Sequence, residues 1–171
     1  TSTVEYDASG IKDYSTVYGR DHKYDMYGTL VDKKAVCQGY AETMNYLLKQ
    51  SGVPCALATS QYINHAWNVV RINGKWYHVD ATWDDPVTDL PGQSRHDYFL
   101  ISTDTLNRRT KNASSSYSLG RYDTKISAAW TGSYNGATDK KYESGQMWSG
   151  VEKVMYHRKG YWYCIKQGSS W

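Results

Sequence analysis

Asn73-Gly74 stands between two β-rich runs, residues 65 to 72 and 75 to 82. A two-residue Asn-Gly link is the strongest short-range signal for a type I′ hairpin, because both central residues of that turn need positive φ. Pairing Ile72 with Lys75 sets the register. Trp67 then lies opposite Asp80 and His65 opposite Thr82, so His65 and Asp80 become diagonal neighbours on one sheet face, about 7 to 8 Å apart at the backbone and within side-chain reach. An imidazole and a carboxylate are thereby brought together by turn type and strand period alone.

A helix is expected just upstream. Over residues 36 to 51, Tyr40, Ala41, Met44, Leu47, Leu48 and Ser51 recur at three- and four-residue steps, with Gly52 to end the helix and Pro54 beyond. Cys37 opens this helix, and the spacing turns its sulfur inward. A thiol at a helix N-terminus meets unpaired backbone N–H groups and the positive end of the macrodipole, both of which favour thiolate. Cys37, His65 and Asp80 are the parts of a thiol nucleophile, its base and the group that orients the base. The backbone N–H of Cys37 would be one donor to a tetrahedral oxyanion, with Gln38 or Tyr27 as candidates for the second.

Three segments carry a family resemblance: Cys37-Gln38-Gly39-Tyr40, His65-Ala66-Trp67-Asn68 and Trp76-Tyr77-His78-Val79-Asp80-Ala81-Thr82-Trp83-Asp84-Asp85-Pro86. Together they resemble the core motifs of the transglutaminase-like superfamily, papain-related cysteine enzymes that include bacterial extracellular members. The resemblance covers about residues 24 to 101. It implies an α+β fold of the papain-like/transglutaminase-core type, with a Cys-bearing helix packed on an antiparallel β-sheet that carries His and Asp. It also implies amide or acyl-transfer chemistry through a thioester, with Cys37, His65 and Asp80 in the three family roles. Gly39 would permit close packing behind the nucleophile, and Trp67 and Trp83 would wall the cleft. Calcium-site features and the flanking β domains of the large animal cross-linking enzymes are not seen in the sequence, which points away from protein cross-linking. The helix that usually precedes this core is also not evident, as in a fragment.

Other residues receive plainer readings. His78 falls on the face of His65 and lines the cleft. A zinc site built from Cys37, His65, His78 and Asp80 lacks the usual close ligand spacings, so no metal is expected. Cys55, after Pro54 in an apolar stretch, reads as core, and Cys164 lies in a terminal strand with its orientation open. His22, His96 and His157 have no partner that sequence names. Asp84-Asp85-Pro86 is turn chemistry at a strand end.

The rest of the chain bounds the answer. With 171 residues it suits one domain, and 40% hydrophobic and 22% charged residues match ordinary globular usage. No apolar run approaches bilayer-spanning length. The net charge of +3 comes from scattered Lys and Arg, the longest cluster being Asn107-Arg108-Arg109-Thr110-Lys111, so nucleic acid is not the expected partner. Seventeen Tyr and seven Trp stand against one Phe, a balance of polar-tipped rings that suits half-wet surfaces and peptide or sugar contact. Three Cys are too few for a disulfide scaffold. The chain opens on Thr1 with no charged-then-apolar leader, which reads as a processed protein or an excised fragment.

Residues 1 to 34 read as irregular, 87 to 95 as loop, 96 to 101 as a strand returning to the sheet, and 102 to 120 as surface connection with one short helix. A C-terminal hairpin pairs Val151 to Tyr156 with Tyr161 to Lys166. The expected organisation is a transglutaminase-like catalytic core over 1–120, then an aromatic-rich β extension over 121–171 that packs on the core or begins a further β module. The expected activity is a secreted or surface-attached bacterial cysteine peptidase, amidase or acyltransferase with a Cys/His/Asp triad, acting without cofactor on a peptide, protein or cell-wall peptide. The alternatives are a non-catalytic protein- or wall-binding module with the same fold, and a structural spacer.

Overall fold

A computed structural model describes residues 4–7, 22–61, 63–85, 96–113, 125–127, 133–142, 153–158 and 161–166, the last two segments and 111–113 by backbone only. Among them the hairpin register is the expected one. Strand β4 (His65–Ile72) pairs antiparallel with β5 (Lys75–Val79), Ile72 against Lys75, and Asn73 and Gly74 both take positive φ, 49° and 80°. β3 (Cys55–Ser60) adds to the other side of β4. β6 (Phe99–Ile101) and β7 (Lys125–Ile126) complete a five-stranded antiparallel sheet in the order β6-β5-β4-β3-β7. The loop expected over 87–95 falls wholly outside the described residues.

β5 stops at Val79, three residues short of the expected end. The cause is Asp80: its Oδ1 accepts the backbone N–H of Thr82 at 3.0 Å and of Trp83 at 3.1 Å. A side chain that captures the N–H groups two and three residues ahead offers the backbone a turn in place of a ladder.

Helix α1 (Cys37–Gln50) starts where the sequence indicated, after an extended Val36. It ends in a Schellman arrangement, with Gly52 at φ +72°, Gly52 N–H on the Lys49 carbonyl and Val53 N–H on the Leu48 carbonyl. Its buried residues are Gly39, Tyr40, Ala41 and Thr43, whereas Leu47, expected on the inner face, is 49% exposed. The first two turns are the ones pinned down: Asn68 Nδ2 on β4 donates to the Ala41 carbonyl at 2.9 Å.

Side chains alternate across the sheet. One face sends Cys55, Val70, Tyr77 and Val79 against Met44 and Leu48 of α1. The other buries Ala56, Ala58, Trp67, Val69, Trp76 and Ile101 with Leu106 of α2 (Thr103–Ala113) and Ala137. The short helix expected in 102–120 is therefore α2, and it covers the sheet's second face rather than lying on the surface as connection.

Before α1 comes a compact approach. β1 (Glu5–Tyr6) runs parallel to β2 (Lys34–Ala35), and a wide helical turn, Gly28–Asp32, leads into β2. A C-terminal hairpin pairs β8 (Lys153–Arg158) with β9 (Tyr161–Lys166), Arg158 against Tyr161. Its first strand thus runs two residues beyond the expected Tyr156, while the second keeps the expected bounds. Among the described residues no helix is long and apolar enough to cross a membrane.

Candidate active site

Cys37 is the first residue of α1, half-buried, with a free thiol. Two anchors hold it there. Val36 N–H donates to the Lys23 carbonyl at 2.9 Å, and Gly39 lets that same carbonyl approach the helix. A Cβ at Gly39 would stand 2.6 Å from Lys23 O and 3.0 Å from the Ala35 methyl. Gly39 therefore does provide the close packing behind the thiol.

Burial by itself would raise the Cys37 pKa, but the hydrogen bond from His65, the charge of His65 and the Ala66 N–H outweigh it, and the thiol is lowered from its ordinary 9.0. Cys55 behaves oppositely. It is fully buried, its Sγ lies 3.1 Å from Asn45 Oδ1, and burial pushes its pKa up. It is the core residue the sequence suggested.

His65 and Asp80 meet as the hairpin register requires, with Nε2 2.6 Å from Asp80 Oδ2. Asp80 is 1% exposed, and its other oxygen holds the turn that ends β5. With Nε2 taken by the carboxylate, Nδ1 is the nitrogen left for Cys37. Burial disfavours the imidazolium, yet the charge and hydrogen bond of Asp80, followed by those of Cys37, push His65 up to about 9. A thiol shifted down and an imidazole shifted up are both displaced toward a thiolate–imidazolium pair.

Aromatic rings surround the imidazole. Trp83 stacks on it with centroids 4.3 Å apart and planes 7° from parallel, and Trp67 lies farther off at 5.8 Å and 16°. Trp67 is not an open cleft wall, since it is 1% exposed and belongs to the core on the α2 side. His78 does not line an open cleft either. It is 2% exposed, accepts a hydrogen bond at Nδ1 from Trp67 Nε1–H at 3.0 Å and uses Nε2 toward Thr103 Oγ1 at 3.0 Å, and burial pushes its pKa down to about 4. It is a neutral brace between α2 and Trp67. Both are internal because odd-numbered positions of β4 pair with even-numbered positions of β5 on the face that α2 covers.

Of the two candidates for a second oxyanion donor, only Gln38 has its side-chain donor engaged elsewhere. Gln38 Nε2 donates to Glu42 Oε1 at 2.8 Å, and the Tyr27 ring packs beside His22 at 4.4 Å while staying 51% exposed. The residue that sequence reasoning did not bring to the thiol is Tyr6, whose phenol feels the charge of Cys37. No local signal announces it, because a two-residue parallel pairing places it. Tyr40, whose hydroxyl bonds to Asp85 and to the Val4 carbonyl, ties the same segment to α1. Among the described residues no group of three or more His, Cys, Asp or Glu is arranged to hold a metal ion.

Comparison with known proteins places this site in a family context. Kyphoscoliosis peptidase from Mus musculus is 30% identical over a stretch covering 33% of this chain and 11% of the relative. The Homo sapiens protein of the same name matches with the same figures. The chain thus spans about a ninth of the length of these curated relatives. A crystal structure of a TGase aligns at TM-score 0.37 and 19% identity, covering 46% of this chain and 22% of that one. The model of the transglutaminase-like superfamily matches residues 2–81, a span that includes Cys37, His65 and Asp80, so this part of the chain is similar to a transglutaminase-like superfamily domain.

Proposed function

We propose that the protein is a cysteine-dependent amide-bond hydrolase or acyltransferase that works through a thioester on Cys37. The observation that carries this reading is the arrangement at the α1 N-terminus: a Cys37 thiol whose pKa His65 lowers, and His65 itself held by Asp80 at 2.6 Å. In the proposed cycle the Cys37 thiolate attacks the carbonyl carbon, the His65 imidazolium protonates the departing amine, and the resulting thioester is released by water or by a second amine. Hydrolysis and transfer share the acyl-enzyme and differ only in the second nucleophile. A peptide or protein substrate, cell-wall peptide included, belongs to the same proposal, as does a secreted or surface-attached bacterial setting. The Tyr- and Trp-rich composition supports the peptide-contact part of this reading. The division into a catalytic core over 1–120 and a β extension over 121–171 is likewise proposed.

The test is intact-mass labelling with a thiol electrophile near pH 6, comparing the natural sequence with Cys37→Ala and His65→Ala. Fast single labelling at Cys37 that depends on His65 supports the enzyme. Labelling of Cys37 no faster than a model thiol would instead favour a binding module or spacer.

A further inference from the structure

The stretch leading into Cys37 has a strand partner. Ala35 lies in β2, Val36 continues extended at φ −98° and ψ 177°, and α1 begins at Cys37. Residues two apart along extended chain project to the same side, so Cys37 leaves on the side of Ala35. Tyr6 is in register with Ala35 across the parallel β1–β2 pair, and the pairing is fixed by Glu5 N–H on the Lys33 carbonyl at 2.7 Å and Asp7 N–H on the Ala35 carbonyl at 2.9 Å. Paired residues of neighbouring strands share a face, which brings the Tyr6 phenol and the Cys37 sulfur to one side of the same short ribbon. The two are close enough to interact electrostatically, and Tyr24 joins them. Tyr6 remains 38% exposed, so its side chain is reachable from solvent.

We infer that the Tyr6 hydroxyl is a hydrogen-bond donor to the carbonyl oxygen of the acyl group attacked by Cys37, acting with the Cys37 backbone N–H. This inference rests on the proposed role of Cys37 as nucleophile. When the sulfur forms its bond to the carbonyl carbon, the π pair moves onto oxygen, and Tyr6 donates a hydrogen bond to that oxyanion while keeping its proton. Collapse re-forms the C=O bond and expels the leaving group with its electron pair. The phenol suits the task. Burial and the charges of Cys37, Tyr24 and Asp7 raise its pKa above the ordinary 10.0, so it keeps its proton at neutral pH. Gln38 Nε2 already donates to Glu42, and Tyr6 is a side-chain donor on the thiol's own ribbon.

The experiment compares two probes of one sulfur in the 171-residue chain. 4-Nitrophenyl acetate acylates it through a tetrahedral oxyanion and releases 4-nitrophenolate. Iodoacetamide alkylates it by displacement of iodide, with no oxyanion at a carbonyl. Rates are taken relative to Cys37→Ala. Tyr6→Phe should lower acylation by on the order of 10²-fold, the usual loss of one oxyanion donor, and leave alkylation within about twofold, since alkylation demands no oxyanion donor. Equal losses in both reactions, or no loss in acylation, would overturn the role of Tyr6. Should the natural sequence itself be acylated no faster than Cys37→Ala, the nucleophile reading fails and this inference falls with it.

Discussion

The imidazole of His65 lies flat on the indole of Trp83, with centroids 4.3 Å apart and planes 7° from parallel. The indole is itself held, since Tyr98 meets it edge-on at 4.9 Å and its backbone N–H is tied to Asp80. One carboxylate therefore fixes both the ring that carries the proton and the ring beneath it. A cation over an indole face gains from the ring quadrupole, with Trp the strongest of the aromatic partners. Trp83→Ala should lower the His65 pKa and slow alkylation of Cys37 at pH 6 by about three- to tenfold, the equivalent of 0.5–1 kcal/mol or slightly more of lost cation–π stabilisation. Trp83→Phe should lose less. Rates that stay unchanged in the alanine variant would deny the stacking any electrostatic role.

The paired shifts of Cys37 and His65 dictate a pH profile. His65 has a folded-state pKa of about 9, above its ordinary 6.5, so its contribution is complete below 6.5 and disappears as pH rises through about 9. Cys37 is shifted down from 9.0, so its contribution is present above 9.0 and is lost as pH falls through its lowered value. The ion pair exists between the two. Alkylation by iodoacetamide should rise at the lowered Cys37 pKa and then stay level. Release of an amine leaving group needs the imidazolium and should decline above about 9. In His65→Ala, stopped-flow alkylation should follow an ordinary thiol, slow at pH 6 and rising toward pH 9. A natural-sequence profile that matches this variant's would remove the ion pair from the account.

The part of this site that follows from local rules is the His65–Asp80 relation. Asn73-Gly74 admits one tight turn, the turn admits one register, and strand alternation does the rest. Cys37 at the head of α1 was legible for a similar reason, since Tyr40, Ala41 and Met44 define a face within two turns. Burial was less legible. Met44 and Leu48 repeat as core residues do, yet they are only half-buried because they border an apolar groove of about 280 Å³ shared with Val4, Thr43 and Ala81. Tyr6 was invisible, because its neighbour Ala35 lies 29 positions away and a two-residue parallel pairing has no sequence signature. The wiring of His78 to Thr103 also depends on α2 crossing back over the sheet, which no hydrophobic period encodes.

Gly39 offers a test of how tightly the thiol's support is packed. An alanine there would place Cβ 2.6 Å from the Lys23 carbonyl oxygen, and a backbone atom cannot swing aside as a flexible side chain does. Overpacking of this kind costs about 1–3 kcal/mol. Gly39→Ala should lower the urea midpoint accordingly and slow Cys37 alkylation, because the displaced carbonyl also holds Val36 N–H at the mouth of the helix. Gly52→Ala is the informative companion. Nothing lies within 4 Å of its Cβ and only the positive φ opposes it, so about 1 kcal/mol should be lost with alkylation unchanged. Equal effects of both variants on alkylation would show that Gly39 has no particular bearing on the thiol.

Asp84 is the group whose ionisation the fold resists. It is 5% exposed, and burial together with the charges of Asp80 and Asp97 pushes it up to about 7, although its Oδ1 accepts the Tyr98 N–H at 2.8 Å. A carboxyl whose folded pKa lies above its ordinary 3.8 binds more protons in the folded chain than in the unfolded one between those values, so its effect on stability is most favourable below 3.8 and is lost as pH rises through about 7. Asn keeps the oxygen acceptor for Tyr98 and cannot ionise. Asp84→Asn should therefore flatten the decline in melting temperature between about pH 4 and pH 7 and melt at or above the natural sequence at pH 7.5, each kcal/mol being worth about 2–4 °C in a chain of this size. A parallel pH dependence of melting in the two proteins would place the ionised Asp84 in contact with water and refute the argument.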